Sequence, residues 1–165
     1  MAPTLAAPLN ETVMAVRPRG DLIALAFRWN NRLRIHSSEN LEVIRSIAGP
    51  AETFSLFGVA DRDGKPALVY TEDTALTYVD VTADNNVIVA LYSARDQHQY
   101  GYRAPYGREL HVFSWDGRLV RRVTADIDLL KVRAAPERHT LYGLARREDK
   151  RFAIVAFDMN TLAGR

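Results

Sequence analysis

The 165-residue sequence predicts an all-β chain, built from antiparallel four-stranded meanders that stack as about three to four blades of a partial β-propeller. Three observations lead there. No window of fifteen residues sustains an apolar pattern at i, i+3, i+4 and i+7, whereas short apolar or alternating runs recur throughout. Those runs are bounded by turn chemistry, with Arg19-Gly20, Asn30-Asn31, Asn85-Asn86 and Asp116-Gly117 all accepting tight reversal or positive φ. Finally, three segments superimpose: AVRPRGDLIALAF, VTADNNVIVALY and RAAPERHTLYGL each give strand, polar turn and apolar strand, followed by IHSSEN, VFSWDG and AFDMNT. A small twisted meander with two apolar faces cannot bury both alone, so repeats of this kind stack around an axis.

Taken in chain order, the first meander is expected over Thr12–Arg17, Asp21–Phe27, Arg32–Ser37 and Leu41–Ile47. Runs at Thr53–Val59 and Pro66–Thr71 follow in a less regular stretch. The second meander is expected over Ala75–Val81, Asn86–Tyr92, Glu109–Trp115 and Arg118–Thr124, with SWDGRLV as its clearest hairpin. The third is expected over Leu129–Ala134, Thr140–Ala145 and Phe152–Asp158. The reading is of one domain, 1–165, with blades over 12–50, 75–125 and 129–165 and an irregular connector at 51–74.

The repeat exposes one anomaly. Ile35 follows Ile23 by 12 positions and Ala156 follows Leu141 by 15, but Val112 follows Ile88 by 24. The middle repeat therefore carries about a dozen extra residues between its second and third strands, in SARDQHQYGYRAPYGRE, and the insertion is expected as a loop on one rim.

Composition narrows function by exclusion. Hydrophobic residues make up 47% of the chain, enough for a real core, and 22 Lys+Arg against 20 Asp+Glu leave a formal charge of only +2. The arginines are scattered rather than gathered into the contiguous track that phosphate backbones require, which argues against nucleic acid. Without cysteine there is no disulfide, thiolate metal site or cysteine nucleophile. The N-terminal MAPTLAAPLNET has neither a basic n-region nor an apolar h-region, and nothing later approaches a membrane span.

The residues resemble a known family. ALTYVDVTADNNVIVALYSAR, and then GRELHVFSWDGRLVRRVTADIDLLKVRAAPERHTLYGLARREDKRFAIVAFD, are similar to the bacterial TolB-like six-bladed β-propeller proteins. Leu91-Tyr92-Ser93, the hairpin His111 to Gly117 and Leu141 to Leu144 carry the likeness; RWNNRLRIHSS and Ile47 to Pro50 extend it upstream. The resemblance implies six blades and, for a full-length member, the bacterial cell envelope or periplasm. This chain supplies three blades, so it resembles the C-terminal half, with self-association through exposed blade faces as the liability.

For chemistry, His98, Tyr100, Tyr102, Arg103 and Tyr106 fall together on the inserted loop, with Trp115 at the next hairpin. Tyrosine offers rigid amphipathic contact area and arginine a bidentate fork, a combination suited to a protein, glycan or small-molecule ligand at the rim. His98 and His111, with Asp96 and Glu109 nearby, lack the convergent donor spacing of a structural zinc site. No G-x-S-x-G elbow and no phosphate-cradling glycine pattern occurs. The expectation is thus a non-catalytic binding module with no catalytic, metal or cofactor residues. The alternative is a carbohydrate- or lactone-directed enzyme whose catalytic groups lie partly in absent blades.

Overall fold

The computed structural model describes residues 9–51 and 55–164. Segment 1–8, read above for an export signal, residues 52–54, where the strand expected from Thr53 begins, and residue 165 lie outside them. The first sheet is a four-stranded antiparallel meander in the order β1 (Thr12–Val16), β2 (Leu22–Phe27), β3 (Arg32–Ser37) and β4 (Val43–Ala48). Gly20, at φ 80°, makes the β1–β2 reversal, its N–H donating to Arg17 O at 2.7 Å. Period-two alternation sends Ala15, Ala24, Ala26, Leu33 and Ile35 to one face, where all are buried.

Next comes a hairpin of β5 (Phe57–Arg62) and β6 (Lys65–Tyr70). Asp63 and Gly64, at φ 56° and 75°, close it with the two-residue turn whose twist matches that of the flanking strands. Trp29 anchors the hairpin to the first meander. Its ring meets Phe57 edge-on at 5.3 Å and Tyr70 at 5.5 Å, while its indole N–H donates to Glu11 Oε2 at 3.1 Å.

The remaining strands form one six-stranded antiparallel sheet: β7 (Ala75–Ala83), β8 (Val87–Asp96), β9 (Gly107–Ser114), β10 (Leu119–Ala135), β11 (Thr140–Arg146) and β12 (Phe152–Asp158). Two of the expected strands, Arg118–Thr124 and Leu129–Ala134, are a single 17-residue strand, β10. No Gly or Pro stands between Thr124 and Leu129 to break it, so the chain bends through a register shift instead. Its first half pairs with β9 and its second half with β11. In this way the outer strand of the second blade becomes the inner strand of the third.

Strand β8 reads VIVALY because both of its faces are covered. Ile88, Ala90 and Tyr92 join Ala24, Leu33 and Ile35 in the core against the first meander; Val87, Val89 and Leu91 join Leu129, Val132 and Leu141 in the core against the third. Asp84 ends the preceding turn by accepting from the N–H groups of Asn86 and Val87, each at 2.7 Å.

The inner strands β1, β7 and the second half of β10 lie side by side, and polar side chains of β7 hold the end of β2 in the first meander on one side and β10 on the other. Thr77 Oγ1 donates to Phe27 O at 2.8 Å. On the other side, Asp80 Oδ2 accepts from Val132 N at 2.8 Å and Thr82 Oγ1 from Ala134 N at 3.0 Å. These edge N–H groups have no strand partner inward, so a side-chain acceptor is what satisfies them. Among the described residues no helix is long and apolar enough to cross a membrane.

Candidate functional site: a rim cleft beside the inserted loop

The insertion between β8 and β9 is folded rather than slack. Strand β8 runs on to Asp96, whose side chain caps a helical turn, Gln97–Tyr100; a 3-10 turn, Gly101–Arg103, follows. Ser93 Oγ, 2.6 Å from Ala104 O and 2.9 Å from Tyr106 O, draws the returning chain onto its own start. Ala104 and Tyr106 are consequently buried, whereas Tyr102 is 69% exposed.

Beneath the loop lies Asp128, at the bend of β10. It accepts from Arg95 at 2.6 and 3.2 Å, from Arg108 Nε at 2.7 Å and from Arg103 at 3.4 Å. The carboxylate is only 6% exposed. Burial alone would raise its pKa, but the hydrogen bonds from Arg95 and Arg108 prevail and pull it down to about 2. One carboxylate shared by three guanidiniums leaves an excess of positive charge, with spare N–H donors on the half-exposed Arg103 and Arg108.

These two arginines form one wall of a cleft of about 580 Å³. The opposite wall is the turn between β11 and β12, with Arg146, Arg147 and Lys150. Arg146 bridges the two sides, its guanidinium 5.1 Å from the Tyr102 ring and 5.7 Å from that of Tyr106.

Of the sequence-predicted residues, Tyr102 and Arg103 line the cleft, and Tyr106 supports it from behind. Tyr100 lies against the Arg95 guanidinium at 5.3 Å, and His98 is exposed on the helical turn without lining the cleft. Trp115 stands at the far end of β9, buried, with its indole N–H on Asp84 O at 3.0 Å, and the structure does not bring it to this rim. Sequence reasoning missed Arg95, Arg108, Asp128, Arg146, Arg147 and Lys150. One signal was available for the last three: the repeat places RREDKR in the third blade where the insertion sits in the second.

A second polar constellation is internal. His111, fully buried, has Nε2 3.1 Å from Glu109 Oε2 and Nδ1 3.1 Å from the Tyr78 hydroxyl. A carboxylate only accepts, so Nε2 carries the proton and Nδ1 accepts from Tyr78. Burial pushes the imidazole pKa down, partly offset by Glu109, which keeps the ring neutral. Tyr78→Phe strands Nδ1 and is expected to cost about 1–2 kcal/mol. Urea unfolding checks this, and an unchanged midpoint would contradict the hydrogen bond.

The TolB-like 6-blade propeller-like family model matches residues 2–132. The chain belongs to that family. One solved structure supports the fold: Kluyveromyces lactis Hsv2 matches with a TM-score of 0.50 at 9% identity, over 90% of this chain and 46% of that one. The β-propeller domain of Myceliophteria thermophila Cps50 (Swd1) gives 0.49 at 11%, over 90% and 37%. Chaetomium thermophilum Raptor gives 0.49 at 14%, over 90% and 12%. The chain thus spans less than half the length of these structures. No curated protein matches it.

Proposed function

We propose that this TolB-like chain is a non-catalytic interaction module whose rim cleft holds an acidic segment of a partner protein. The observation that carries the reading is the cleft itself, with Arg103, Arg108 and Arg146 presenting guanidiniums beside the exposed Tyr102 ring. Bidentate forks suit carboxylates, and an aromatic face adds contact area without adding rotamer entropy. Of the four acids that line the cleft, Asp126, Asp128, Glu148 and Asp149, two are spent already, since Asp128 is saturated by arginines and Asp149 pairs with Arg151 at 2.7 Å, and the five cations Arg103, Arg108, Arg146, Arg147 and Lys150 outnumber them.

The test is calorimetric titration with a blocked hexaglutamate peptide at low salt. Binding is expected, and it should fade as ionic strength rises and the Debye length falls to about 8 Å. Arg146→Ala and Tyr102→Ala should each weaken it about fivefold, corresponding to about 1 kcal/mol for a lost cation–π or stacking contact. Absence of binding at low salt, or indifference to both substitutions, would refute the proposal.

A further inference from the structure

The cleft beside the inserted loop holds charge of both signs, and its acids divide into two kinds. Asp128 is held by Arg95, Arg103 and Arg108, and Asp149 by Arg151. Asp126 and Glu148 line the same cleft and are exposed, and among the described residues neither carboxylate has a hydrogen bond or an ion pair. Both are placed by the backbone. Asp126 stands in the register shift of β10, between Thr124, which pairs with Glu109, and Asp128, which pairs with Arg146. Glu148 lies in the β11–β12 turn, which Arg147 N closes by donating to Arg151 O at 2.9 Å and Lys150 N tightens by donating to Arg147 O at 3.0 Å. The two free acids therefore come from different elements, one from the bend of β10 and one from the turn that forms the opposite wall.

A cleft that served only to attract anions would gain from neutral side chains at both places. A carboxylate left facing an acidic ligand repels it, and repulsion of this kind decides which partners are refused. An unbroken run of acids, or a phosphate backbone with a charge at every step, brings negative charge to both free carboxylates. A segment with one cation among its acids turns the same two groups into partners.

We infer that the segment held in this cleft carries a lysine or arginine within its acidic run, paired by Asp126 or Glu148 while the flanking acids take Arg103, Arg108 and Arg146. The inference rests on the reading of the cleft as a site for an acidic segment, and it adds the residues that set specificity there. Hexaglutamate is then a weaker ligand than a segment of mixed charge.

The experiment is calorimetric titration at low salt with pairs of blocked pentapeptides. One member of each pair has four glutamates and a lysine at the second, third or fourth position; the other has glutamine at that position. Attraction to the excess of cations alone favours the glutamine peptide, which carries one more net negative charge. In at least one pair the wild type is instead expected to bind the lysine peptide about threefold more tightly, the size of a partly exposed ion pair. The double variant Asp126→Asn, Glu148→Gln should reverse that order and should bind hexaglutamate about threefold more tightly than the wild type, with circular dichroism verifying that it is folded. Preference for the glutamine peptide in all three pairs, equal binding within every pair, or a lysine preference that survives the double substitution would overturn the inference while leaving the acidic-segment reading in place. Failure of hexaglutamate and of every pentapeptide to bind would overturn both.

Discussion

Asp128→Asn is expected to lower stability at neutral pH by about 2–3 kcal/mol and to loosen the inserted loop. The carboxylate is buried and holds Arg95, Arg103 and Arg108 together, and an amide leaves the three guanidiniums to repel one another around a neutral group. Two of the three arginines are half exposed, so water screens part of the loss and the cost falls below that of a fully interior pair. The pKa gives the same scale. A drop from 3.8 to about 2 corresponds to roughly 2.5 kcal/mol of preferential stabilisation of the charged form.

The sign of the pH dependence follows. Because the folded-state pKa lies below the unfolded one, the stabilisation is complete above about pH 4 and is lost as pH falls toward 2, where the unfolded chain has already taken up the proton. The gap between wild type and Asp128→Asn should therefore narrow across that window. A gap equal at pH 7 and pH 2.5 would refute the ion cluster as its origin. Faster amide exchange at 97–106 in the variant is the accompanying local readout, since the Arg95, Arg103 and Arg108 contacts tether that segment.

What the sequence disclosed depended on whether the controlling interaction was local. The Asp116-Gly117 hairpin was legible because its geometry is: Gly117 sits at φ 93°, and Ser114 N donates to Arg118 O at 2.9 Å. VIVALY was legible as a strand buried on both faces, and residue counting located the insertion. Strand β10 was divided in two because period-two patterning lapses at Ala125 to Ile127, where its pairing passes from β9 to β11, although both halves pack into one core. Asp128 could not be found from sequence at all. Its arginine partners lie 33, 25 and 20 residues away, and only the bend of β10 under the loop brings them together. Arg146, by contrast, was recoverable by carrying the rim position of the second blade onto the third.

That bend also sets the other large effect, at Leu129. The residue is fully buried where β10 passes from one partner to the next, paired with Gly107 of β9 on one side and Ala145 of β11 on the other. Gly143, also on β11, leaves room for it, since a Cβ there would come within 2.9 Å of the Leu129 side chain. Leu129 thus fills space that its surroundings were shaped to leave, and the strands on either side cannot collapse inward without separating from β8 or β12. Leu129→Ala is therefore expected to leave a cavity that relaxes poorly, at a cost near the middle of the 2–5 kcal/mol range for such truncations, about 3 kcal/mol. With an m-value of about 2 kcal/mol/M, the urea midpoint should fall by roughly 1.5 M. Leu129→Met, which nearly conserves volume, should recover most of it. If Leu129→Ala shifted the midpoint by less than a quarter of that amount, the second and third blades would not be coupled through this side chain, and the continuity of β10 alone would have to account for their packing.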